Sequence, residues 1–206
     1  TTYTLSLGTP ASMRAAAERE AGRPLLKVKL GGEGDIERIE AVRSGAPQSA
    51  IIVDANEGWT LDQYKALAPV FLKLGVTLVE QPFPAGADDA LLGLERVLPV
   101  CADESCHDRH SLDALTGKYD AVNIKLDKTG GLTEALLMRD AAMAAGFEIM
   151  IGCMVATSLS MAPAMLVTPQ ARFVDLDGPL LLAKDRDAAI VYEGSTMQVP
   201  PTALWG

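Results

Sequence analysis

Three carboxylates and two lysines close apolar runs at spacings that could bring them into one site. The runs LLKVK, AIIVD, VTLVE, VLPVCAD and YDAVNIK end at or beside Lys29, Asp54, Glu80, Asp103 and Lys125. Two further runs, EIMIGC and ARFVDLD, end at Cys153 and Asp177. Three oxygen ligands without a His or Cys among them suit a hard cation, Mg²⁺ above Mn²⁺. A free lysine, with a pKa of about 10.4, is a poor base at neutral pH. A like charge two residues away, as Lys27 is to Lys29, together with a nearby cation, lowers that pKa. Two such bases facing each other have one economical use. One removes a proton from carbon on one face and the other returns a proton on the opposite face, while the cation stabilises the charge moved onto a neighbouring oxygen.

The elements that must position these residues follow from their period. The run ends recur every 22–28 residues, the length of one strand, one helix and two turns. Near-continuous apolar runs are what parallel strands buried on both faces look like. Strands are expected at Thr2–Leu7, Leu25–Leu30, Ala50–Ala55, Thr77–Gln81, Val100–Asp103, Ala121–Leu126, Glu148–Gly152 and Phe173–Leu176. Helices are expected at Pro10–Ala21, Ile36–Arg43, Thr60–Lys73, Asp88–Arg96, Ser111–Leu115, Leu132–Ala145 and Thr157–Val167. Eight strands and seven helices make an α/β modified TIM barrel, (β/α)7β, over residues 1–187. After Pro179 the segment AAIVYEGSTMQVPP reads as a hairpin with a Glu-Gly-Ser turn, so 188–206 form a C-terminal hairpin and tail. An open doubly wound sheet is the competing architecture, but no GxGxxG follows the first strand. In a barrel all strand ends reach one face, where active sites sit.

Composition narrows the classes. A net charge of −9 and no basic stripe argue against a nucleic-acid partner. No apolar stretch reaches membrane-spanning length, and TTYTLSLGTP is not a signal peptide. Cys101, Cys106 and Cys153 read as reduced thiols of a cytoplasmic protein. Cys106-His107-x-x-His110 lacks a fourth ligand for a transition metal, and Met150, Met154, Met161 and Met165 read as core. The chain starts at Thr1 inside a strand pattern, as the C-terminal portion of a longer protein would.

The motifs LKVKLG, VDANEGW, LVEQPFP, ADES, NIKLDKTGG and DLDGP resemble the barrel domain of the enolase superfamily, muconate-lactonizing-enzyme subgroup. The resemblance covers nearly the whole chain and is greatest to dipeptide epimerases of the L-Ala-D/L-Glu epimerase type. It implies that Lys29 and Lys125 are the acid/base pair, that Asp54, Glu80 and Asp103 hold Mg²⁺, and that Lys27 contacts the substrate carboxylate and tunes Lys29. Asp175 and Asp177, in the family's Asp-x-Asp, would bind the free ammonium group of a dipeptide, with Thr4 and Cys153 as further substrate contacts. One departure is Ala156, where many relatives carry an acid. The family's N-terminal capping domain is expected as a partner and is not recognised in this chain; a homo-oligomer is also expected. The implied reaction is inversion of the α-carbon of the C-terminal residue of a dipeptide, such as Ala-Glu from cell-wall peptide turnover. Muconate cycloisomerase, o-succinylbenzoate synthase and N-acyl-amino-acid racemase reactions share the lysines and the metal ligands, and a barrel portion without turnover stays open.

Overall fold

A computed structural model describes residues 1–205. Eight parallel strands follow one another in sheet order: β1 (Tyr3–Leu5), β2 (Leu25–Lys29), β3 (Ala50–Asp54), β4 (Val76–Glu80), β5 (Val100–Ala102), β6 (Ala121–Ile124), β7 (Glu148–Ile151) and β8 (Phe173–Val174). The Thr2 amide donates to the Val174 carbonyl at 2.8 Å, bringing the last strand back to the first and curling the sheet into a barrel. The chain is therefore a modified TIM barrel, and strand order follows chain order as right-handed βα units require.

Helices α1 (Pro10–Arg19), α2 (Asp35–Gly45), α3 (Leu61–Lys73), α4 (Leu112–Leu115), α5 (Leu126–Thr129), α6 (Leu132–Ala144) and α7 (Ser158–Met165) fill the intervals. Local chemistry sets their starts. The Thr9 hydroxyl accepts from the Ser12 amide just before Pro10, and Thr60 with Gln63 closes a capping box on α3. The segment Asp88–Arg96 is a correction: only Asp89–Leu91 forms a single 3₁₀ turn. Leu92 leaves it in an extended conformation, and Gly93 follows at φ 68°, a left-handed conformation that an α-helix cannot continue through. In the C-terminal segment Tyr192–Glu193 pairs antiparallel with Thr196–Met197, and a short helix α8 (Thr202–Trp205) follows. No helix among the described residues is long and apolar enough to cross a membrane.

Side-chain alternation along each strand builds two shells. Outward residues such as Val28, Val53, Val79 and Val122 pack with Ile39, Phe71 and Met138 of the helices. Inward residues Ile52, Leu78, Cys101, Ala121, Met150 and Phe173 form a separate apolar plug. Two residues further along the same strands the inward face turns polar: Asp54, Glu80, Asp103, Asn123 and Asp175 are all buried. The methionine expectation needs one correction, because Met154 is half-exposed while Met150 and Met161 are buried. Met154 lies beyond β7, where the chain has left the core.

Asp35, 1% exposed, ties the β2–α2 turn to the next unit. It accepts from the Gly32 amide (2.7 Å), the Trp59 indole (2.8 Å) and Arg38 (2.9 Å). Asp35→Ala strands these donors and should cost about 3–5 kcal/mol in urea unfolding. Removing the exposed Arg14–Glu18 pair with Arg14→Ala should change stability by less than about 1 kcal/mol. Equal effects would refute this account of the turn.

Candidate active site

The polar layer lies at the C-terminal ends of the strands, and its base is a buried ion cluster. Oxygen atoms of Asp54, Glu80 and Asp103, one from each carboxylate, lie within 4.8 Å of one another. These residues come from consecutive parallel strands, with Asp54 directly beside Glu80 in register. Lys27 stands among them. Its ammonium lies 3.1 Å from Asp54, 2.8 Å from Glu80 and 2.9 Å from Asp175. Lys29 contacts Asp54 at 2.6 Å, and Lys125 contacts Asp103 at 2.5 Å.

The two lysines reach the cluster from opposite sides, because β2 and β6 are four strands apart in an eight-stranded order. Above the cluster is a cavity of about 390 Å³, lined by Lys29, Lys125, Asp177, Thr4, Cys153 and Met154 among others. A larger hollow of about 590 Å³ opens at the other end of the barrel. Its charges are mutually paired, Arg96 with Asp120 and Arg172 with Glu148, and it holds no carboxylate cluster. The smaller cavity is where chemistry can occur.

Electrostatics in the cluster are unbalanced in an informative way. Burial first, then repulsion from Asp54, pushes the Glu80 carboxyl up to about 8. Its Oε2 lies 2.8 Å from Lys27 but has no aligned hydrogen bond, so the contact is a Coulombic attraction without a directed donor. Burial would raise Asp54 too, but Lys27 and Lys29 hold it below the usual carboxylate range. Asp103 also lies below that range: against burial, Lys128 and Lys125 both act on it. Such a set fits a hard divalent cation. Its donors are all oxygen, one is an under-satisfied buried carboxylate, and an octahedral ion with ligands at about 2.1 Å needs oxygens roughly 3–4 Å apart.

Burial acts to lower the pKa of Lys27 and Lys125, but the facing carboxylates outweigh it, and both lie above the ordinary lysine value. Lys27 lines the cavity as well and is bound to three acids.

Asp175 and Asp177 both line the cavity, but their surroundings differ. Asp175 accepts from Lys27 at 2.9 Å and from the Thr2 hydroxyl. Asp177 accepts from the Thr4 amide at 2.6 Å, and burial, then Asp175, pushes its carboxyl up to about 6. Cys153 is beside them, its thiol pushed up to about 12 by burial and Asp175, which makes it a poor nucleophile. All three cysteines are free thiols. Cys106 is buried while His107 and His110 are exposed, so these three form no metal site.

Two residues emerge only in three dimensions. Lys128 contacts Asp103 at 2.5 Å and the Asn123 carbonyl at 2.9 Å; its position three residues past Lys125, one turn of α5, was the available signal. Asn123 donates to Glu80 at 2.8 Å. Gly152 makes room for it, since a Cβ there would meet the Asn123 amide at 2.5–2.8 Å.

The sequence model of the family described as enolase C-terminal domain-like matches residues 12–203. The chain is 48% identical over 204 residues to N-acetyl-D-glutamate racemase of Pseudoalteromonas sp, covering 99% of this chain and 65% of that protein. It is 47% identical over 194 residues to L-Ala-D/L-Glu epimerase of Escherichia coli (strain K12), covering 93% of this chain and 60% of that protein. A solved structure of an enolase family member from Agrobacterium tumefaciens, described as having homology to dipeptide epimerases and bound to sodium and L-Ala-L-Glu, superposes with a TM-score of 0.98. Identity there is 52%, over 100% of this chain and 63% of that one. The chain thus spans under two thirds of the length of each.

The Asp177 carboxyl titrates near 6 in the fold against an ordinary 3.8. The native state keeps its proton where the unfolded chain has lost it, so stability falls as pH rises from about 4 to about 6. Asp177→Asn should remove that part of the slope and exceed the native protein in stability at about pH 7.5. Urea titrations across this range check it; an unchanged slope refutes it.

Proposed function

The chain belongs to the enolase C-terminal domain-like family, and on that premise we propose that its cavity inverts a carbon next to a carboxylate by two-lysine proton transfer. The observation that carries this reading is the placement of Lys29 and Lys125 on opposite sides of the three-acid cluster. Asp54, Glu80 and Asp103 would hold Mg²⁺, which when bound supplies positive charge to offset the charge developing on the substrate carboxylate. Lys29 and Lys125 each move a proton at the α-carbon, one per face. Both begin as ammonium groups paired to acids, so one must first give up its proton to act as the base. Lys27 keeps the acids from repelling one another beneath the substrate. Thr4 holds Asp177 through its amide.

We take the substrate to be a dipeptide inverted at its C-terminal residue, as the names of the Escherichia coli relative and the dipeptide-bound neighbour suggest. Asp177 is the side chain best placed for the substrate ammonium, because Asp175 is already held by Lys27 and Thr2. That engagement of Asp175, with the name of the Pseudoalteromonas relative, favours a second reading, N-acyl-amino-acid racemisation, in which no ammonium is bound. A capping domain would cover the exposed Leu7, Val155 and Leu181 at the strand-end loops.

Lys29→Ala and Lys125→Ala should each abolish interconversion of the two epimers. Either variant should still exchange the α-proton of one epimer with D₂O, because one base suffices for exchange. NMR of both epimers in D₂O reads this directly, and native-like interconversion by either variant would sink the two-base mechanism. Acetylating the dipeptide amine should lower kcat/KM by roughly 10–200-fold. Equal turnover of free and acetylated substrates would move the N-acyl reading ahead.

A further inference from the structure

We propose that Gln81 is a positioning residue for the carboxylate cluster, fixing the main chain that carries Asp103 against the end of β4; this rests on reading the cluster as a divalent-cation site. Gln81 follows Glu80 directly and is fully buried. Its φ of 34° is a left-handed conformation that a non-glycine residue keeps only when its surroundings enforce it.

Its carboxamide is fully used. The oxygen accepts from the Asp103 amide at 2.9 Å and the Ser105 amide at 3.1 Å. The two N–H bonds of the nitrogen are shared among the Phe83 carbonyl (2.8 Å), the Ser105 hydroxyl (2.9 Å) and the Tyr119 hydroxyl (2.9 Å). This orientation has no alternative, because main-chain amides only donate and a carbonyl only accepts.

The hydroxyl directions are set from behind. Asp88 accepts from Ser105 (2.7 Å), Tyr119 (2.8 Å) and Lys118 (2.8 Å). With their protons committed to Asp88, both hydroxyls offer lone pairs to the Gln81 nitrogen. The main chain of Gln81 completes the tie: its amide donates to the Cys101 carbonyl and its carbonyl accepts from the Glu57 amide, each at 2.9 Å. One residue therefore connects the ends of β3, β4 and β5, the three strands that carry Asp54, Glu80 and Asp103. A methionine of similar length could fill the space but make none of the side-chain bonds.

The test uses the full-length protein, with Mg²⁺ affinity by calorimetry, steady-state kinetics and thermal unfolding. Gln81→Met should weaken Mg²⁺ binding about 10–100-fold, the range for groups that orient metal ligands. Its kcat should fall at fixed low Mg²⁺ and recover in part at high Mg²⁺, with KM for the dipeptide changed much less; a general loss of structure would not give that split. Tyr119→Phe and Ser105→Ala, which each remove one link, should shift Mg²⁺ affinity a few-fold in the same direction, and they decide the matter if Gln81→Met does not fold. Native Mg²⁺ affinity in folded Gln81→Met, or in both single-link variants, overturns the proposal alone. Failure of the native protein to bind Mg²⁺ overturns the reading of the cluster and this inference with it.

Discussion

The site depends on one buried ammonium. Lys27 is enclosed by Asp54, Glu80 and Asp175, and without it those carboxylates would share a space from which water is excluded. Like charges in that setting repel strongly, and removing one partner from a buried ionic group leaves an uncompensated charge. The cluster is balanced only in part, as the elevated Glu80 carboxyl records. That incomplete balance is what makes the site receptive to a cation. An interior built for stability alone would continue the apolar plug of Ile52, Leu78 and Met150 upward.

The barrel supplies what the cluster requires by simple periodicity. Each strand turns alternate residues inward, so two steps separate the plug from the ionic layer. The plug excludes water from below, which strengthens every charge contact above it. Parallel register carries the polar layer around the barrel: Lys29 lies beside Asp54, and Asp54 beside Glu80. The acids need no long-range contact beyond strand pairing to converge. The lysines approach from β2 and from the end of β6 for the same topological reason, and a molecule between them is reached from both faces.

Around this layer, further side chains hold the acids in place. Asn123 reaches Glu80 because Gly152 has no side chain. Lys128 shares Asp103 with Lys125, so Asp103 stays neutralised if Lys125 leaves it. Thr2 and Lys27 engage Asp175, leaving Asp177 with a different set of partners on the same strand end. Two acids on one strand end thus acquire different surroundings from their neighbours alone.

The sequence by itself determined the strand and helix order, the eight-stranded barrel, and the convergence of Asp54, Glu80, Asp103, Lys29 and Lys125. These follow from apolar runs of fixed period and from the polar residue that closes each run, both of which are local features. It also carried a false helix at Asp88–Arg96, where apolar spacing outweighed the break at Gly93. Only the tertiary structure decided which acid each lysine meets, the raised pKa of Lys27 and Lys125, and the separate surroundings of Asp175 and Asp177. It also revealed Lys128, Asn123 and Gln81 behind the cluster. The physical reason is distance: side-chain charge contacts and hydrogen bonds depend on ångström-scale placement of groups tens of residues apart, and strand periodicity brings such groups to one end of the barrel without assigning their partners.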